Sequence, residues 1–98
     1  MTKQELMTEL QDIRYYNTHR EMFNKAENTG FKGKTLEKIK KYDNLIRNAP
    51  LRFQMVYHVI YTEGKTHSNA AKELGLSLSY TKCLIRKLYT YLLEQTNG

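Results

Sequence analysis

The stretch Glu73-Leu74-Gly75-Leu76-Ser77-Leu78-Ser79-Tyr80-Thr81-Lys82 decides the fold. From Leu74 to Thr81 apolar and polar residues alternate, which is the period of a half-buried strand. The residues beyond it argue otherwise. Leu84, Ile85, Leu88 and Leu92 recur at helical spacing, and the series extends back to Thr81, four residues before Ile85. A strand over 76–81 would have to become a helix with no turn residue between them. Gly75 instead closes a preceding helix in the left-handed conformation. Leu76 then points from the turn into the core. Ser77 caps a helix starting near Leu78, its hydroxyl accepting the backbone N–H of Ser79 or Tyr80.

Working outward, the chain reads as all-α. A short helix fits Thr66 or His67 to Leu74, with Ala70 and Ala71 small enough for close helix packing. Before it, Pro50 to Thr62 carries Phe53, Val56, Val59 and Ile60 on one face, and Gly64 ends that segment. A helix from Leu36 to Asn48 is predicted with Thr35 as its N-cap and Leu36, Ile39, Tyr42 and Ile46 as its apolar side. Asn28-Thr29-Gly30 reads as a stop and Phe31 to Lys34 as a linker. Upstream, one long helix is expected from about Lys3 to Lys25. Its narrow stripe of Leu6, Leu10, Ile13, Tyr16 and Phe23 suits a helix that pairs with a partner helix, in a homodimer or on another protein, or that lies along another domain. The expected organisation is an N-terminal helix in residues 1–30 and a compact helical domain in 31–98.

Composition narrows the function. The 98 residues carry a net charge of +6. Residues 1–30 balance at −1, 31–65 at +5 and 66–98 at +2. A basic excess joined to a nearly neutral leading helix suits a nucleic-acid footprint. No apolar run approaches the roughly 20 residues of a membrane span, and MTKQELMTEL lacks a signal-peptide core, so the reading is cytoplasmic. Cys83 is the single cysteine, and it forms no metal-finger spacing with His19, His58 or His67. No cofactor or metal is expected. Enzyme chemistry is not expected either: paired carboxylates, a Gly-rich phosphate loop and a nucleophile–base pair are all missing from the pattern.

A short helix, a glycine turn and a longer basic helix make a helix-turn-helix, here over about residues 66–93. Tyr61-Thr-Glu-Gly64, followed by Asn69-Ala-Ala-Lys-Glu-Leu-Gly-Leu-Ser77, resembles the DNA-binding unit of sigma-factor region 4. It is also similar to LuxR-type regulators and most of all to short phage late-gene activators of the RinA/ArpU type. Asn69 and Ala70 depart from the Glu and Ile usual there, and Thr81 stands where Val is common. The resemblance implies a transcription regulator of a phage or mobile element, working on double-stranded DNA in a bacterial cytoplasm, with RNA polymerase as a further partner.

Under that reading the last helix is the recognition helix. Thr81, Leu84, Ile85 and Leu88 face inward, and its N-terminal half enters the major groove. Ser79, Tyr80 and Lys82 are the base-edge candidates, with Lys82 suited to guanine O6 and N7. Arg86 and Lys87 suit phosphate. Thr66, His67 and Ser68, at a helix start, also suit phosphate, or simply cap the helix. Lys38, Lys41 and Arg52 extend the phosphate track. Leu78 is expected to pack, with contact to a thymine methyl as the alternative. Two further readings remain at this stage. One is a small terminase-like packaging subunit; the other is a protein-interaction module acting through the Leu6–Phe23 stripe.

Overall fold

The computed structural model describes residues 1–25 and 29–97. Its side chains are described outside 23–32, so the Phe23 side chain and Asn28, both singled out above, lie outside what the structure describes. The described residues are helical, with no strand among them: α1 Lys3–Thr18, α2 Arg20–Lys25, α3 Thr29–Arg47, α4 Leu51–Tyr57, α5 His67–Leu74 and α6 Leu78–Asn97. A π-helical segment, His58–Thr62, continues α4. The all-α expectation is met.

Helix α1 begins with a reciprocal cap. The Glu5 N–H donates to the Thr2 hydroxyl at 3.1 Å, and the Thr2 N–H donates to the Glu5 carboxylate at 3.3 Å. It ends earlier than expected, at Thr18 rather than running on to Lys25. The Thr18 hydroxyl bonds back to the Arg14 and Tyr15 carbonyls, and the His19 ring lies 2.9 Å from the same Tyr15 oxygen. Side chains thus compete locally for the backbone groups at the helix end.

The stripe on α1 is occupied by the chain itself. Leu6, Leu10, Ile13 and Tyr16 are all buried, and the first three belong to one core with Tyr42, Val56, Leu84, Leu88 and Leu92. Of the readings open to the stripe, the one that lies along the rest of the chain is the one seen, and α1 shares its core with residues of 31–98. A narrow apolar stripe looks the same in sequence whether it meets another chain or the rest of its own.

Helix α3 is also longer than expected. It starts at Thr29 and passes through the segment taken for a linker. Thr35 is therefore no N-cap but a buried mid-helix residue, while Leu36 is exposed. The inward series is Thr35, Ile39, Tyr42 and Ile46, spaced four, three and four apart. On its other flank α3 is tied to α1 by Lys38–Asp12 at 3.0 Å and Lys41–Glu9 at 3.3 Å. The Tyr42 hydroxyl donates to the Glu9 carboxylate as well.

After Pro50, α4 widens into the π turn, which puts the three successive residues Val59, Ile60 and Tyr61 inside. The wider turn is closed by Lys65 N–H donating to the Val59 carbonyl at 3.1 Å, across Gly64 in a left-handed conformation. From α1, Arg14 donates to the Gly64 carbonyl at 2.8 Å and Asn17 to the Tyr61 carbonyl at 2.9 Å. Carbonyls at the end of this segment thus find donors across the fold rather than within it.

Candidate nucleic-acid interface

The opening stretch folds as its helical reading requires. Gly75 sits at φ +70°, with Leu76 N–H donating to the Ala71 carbonyl at 2.9 Å and Gly75 N–H to Lys72 at 3.2 Å. These two bonds make the left-handed closure of α5. The half-buried Leu76 packs on the core. The Ser77 hydroxyl then accepts the Tyr80 N–H at 3.1 Å and starts α6. Thr81 is fully buried, and its hydroxyl is satisfied by the Ser77 carbonyl at 2.9 Å. That bond is why a threonine is tolerated at an apolar position of the stripe.

Helix α6 divides cleanly into faces. Thr81, Leu84, Ile85, Leu88 and Leu92 are buried. Ser79, Lys82, Arg86 and Lys87 are exposed, and Cys83 is half-buried. The helix carries no acidic residue before Glu94. Leu78 is 39 % exposed and lies outside the core cluster, so the packing expected of it is not seen. Its spacing from Ile85 aligns it with the buried stripe, but the stripe ends at Thr81. Tyr80 is 42 % exposed and lies over a shallow groove of about 170 Å³ on the α4 side, beside Arg52, Met55 and Leu76.

The start of α5 adds a second exposed edge. The Thr66 hydroxyl accepts the Asn69 N–H at 3.2 Å, so it acts as a cap, while His67 and Ser68 are exposed. The fold brings His67 to Lys82 and Arg86. The three line a groove of about 590 Å³ together with Met7 of α1, Ile85 and Tyr89.

The other expected phosphate residues divide. Arg52 lies on the Tyr80 flank of α6. Lys38 and Lys41 do not join the track but neutralise Asp12 and Glu9 on the α1–α3 seam. On α1 those two acids project roughly opposite to Met7 and Arg14, which face α5 and α6, because the helical period separates the two sets by about half a turn. Among the described residues no ion pair involves α5 or α6. Met7, Arg14 and Lys65, which lie beside this surface, were missed because only tertiary packing brings α1 to α6. No protein-family model, curated protein or solved structure matches the chain.

Proposed function

We propose that this chain is a sequence-specific double-stranded DNA-binding regulator of transcription, with α5, the Gly75–Ser77 turn and α6 acting as a helix-turn-helix. One observation carries the reading. Helix α6 is held by a buried stripe while its outward face presents Ser79, Lys82, Arg86 and Lys87, free of acids over its first four turns. The N-terminal half of such a helix fits the major groove. In this reading Ser79 and Lys82 meet base edges, joined by Leu78 against a thymine methyl and Tyr80 at the groove edge. Arg86, Lys87 and Arg52 meet phosphate, as do the exposed His67 and Ser68 at the start of α5.

The resemblance of about residues 47–94 to sigma-factor region 4 and to phage late-gene activators supports a role on a mobile element, with RNA polymerase as a further partner. A homodimer on paired half-sites would need a surface other than the Leu6–Tyr16 stripe, which is already buried. The test is selection of bound duplexes from a random pool, with titration against salt. Enrichment of one motif and a steep loss of affinity with salt are expected. Lys82→Ala should relax the preference at one position by about 1–3 kcal/mol. Arg86→Ala should weaken all sequences alike and lower the salt slope by about one. A protein that retains its fold but enriches no motif would refute sequence-specific binding.

A further inference from the structure

The groove between α1 and α6 has features that DNA binding alone does not use. Its floor is apolar: half-buried Met7, buried Ile85 and the Tyr89 ring. The Tyr89 hydroxyl is bonded to that of buried Tyr61, which holds the ring in place. Its rim carries the cations Lys82 and Arg86 with the His67 imidazole beside them, and no carboxylate lines it. A second hollow of about 280 Å³ shares Met7, His67 and Tyr89 and adds Arg14 and Lys65, again without a carboxylate. A phosphodiester strand would use the cations but not the floor. The volume of about 590 Å³ falls within the range of small-molecule sites. An apolar floor under convergent cations matches a molecule with an anionic head and a flat apolar body.

We propose that this groove binds a compact aryl phosphate or chemically similar anionic ligand, and that the bound ligand withholds Lys82 and Arg86 from DNA. The apolar body lies on Met7, Ile85 and Tyr89, and the anion meets Lys82, Arg86 and His67 through charge-assisted hydrogen bonds. The binding itself is independent of the function proposed above; the competition rests on that reading.

The test titrates the full chain with 1-naphthyl phosphate, followed by calorimetry and by backbone amide shifts, with inorganic phosphate and 1-naphthol as controls. Saturable binding at one site is expected, with shifts gathered around Met7, His67, Ile85 and Tyr89. Each control should bind about tenfold more weakly or worse, since each lacks one half of the recognition. Met7→Glu places a carboxylate in the groove and should weaken binding about tenfold or more. Lys82→Gln, at an exposed position that leaves the core intact, should also weaken it. Equal affinity for inorganic phosphate, shifts elsewhere, or no saturation would overturn the site. A duplex selected as above should be displaced by 1-naphthyl phosphate. Ligand binding without any duplex binding would keep the site and sink the regulator reading. Duplex binding without ligand binding would do the reverse. Simultaneous binding of both would overturn the competition.

Discussion

Two glycines with nearly the same φ close two neighbouring helical segments, Gly64 at +77° and Gly75 at +70°, and their surroundings are opposite. A Cβ on Gly64 would run into the Thr18 methyl of α1, whereas a Cβ on Gly75 would meet nothing. Arg14 and Asn17 reach across to the carbonyls of the first junction. The second is closed by its own backbone and by Ser77. The first junction is therefore locked by tertiary packing and serves stability. The second is set by local chemistry and leaves its surroundings open, which is what a surface that meets another molecule requires.

The largest expected difference is between the two alanine substitutions. Gly64→Ala combines left-handed strain with a clash and should cost about 3 kcal/mol, read by urea unfolding. Thr18→Ser in the same background removes the methyl and should restore part of that loss. Gly75→Ala carries only the backbone strain and should cost about 1 kcal/mol. Equal costs would break the comparison.

A second difference appears at alkaline pH. Burial, first of all, raises the hydroxyl pKa of Tyr57 and Tyr61 beside the first junction, and of Tyr42 on α3. Asp43 raises Tyr57 further, and Tyr89 raises Tyr61. In the unfolded chain these groups ionise near pH 10 while in the fold they stay protonated. Their stabilising contribution is therefore intact below about pH 10 and is lost as pH climbs above it. Tyr61→Phe should flatten that loss by up to about 1.4 kcal/mol per pH unit, measured by unfolding above pH 10. An unchanged slope would show that Tyr61 ionises in the fold as freely as in the unfolded chain.

The other small stability effect, of the size expected for Gly75→Ala, also belongs to the second junction. Ser77→Ala removes the cap on Tyr80 N–H and should cost about 1 kcal/mol in thermal unfolding. A cost near that of Gly64→Ala would mean that α6 depends on its cap more than on its buried stripe.

The same contrast explains what the sequence made legible. The α5 cap at Thr66, the left-handed Gly75, the Ser77 cap and the start of α6 at Leu78 rest on bonds spanning a few residues. Local pattern is sufficient for such features. The break after Thr18 lacks a glycine or proline and comes from side chains bonding back to the helix. The entry to α3 reads as a linker because Gly30 and Gly33 weaken a helix, yet burial of Tyr42 and Ile46 further along outweighs that weakness. The π turn escapes a reading based on a period of 3.6. At the candidate interface, the outward face of α6 follows from periodicity. Met7 beside Lys82, and Lys38 and Lys41 on the α1–α3 seam, depend on which helices meet.

The most direct test of the account compares two lysines that the sequence reading assigns to DNA, one to bases and one to phosphate. Lys82→Gln and Lys38→Gln make the same charge change, one on the outward face of α6 and the other in the α1–α3 seam. Affinity for a selected duplex is measured for both variants alongside the parent chain. The account predicts a loss of about tenfold or more for Lys82→Gln and little change for Lys38→Gln. Equal losses would point to basic charge alone, and an unchanged affinity for Lys82→Gln would contradict recognition through α6.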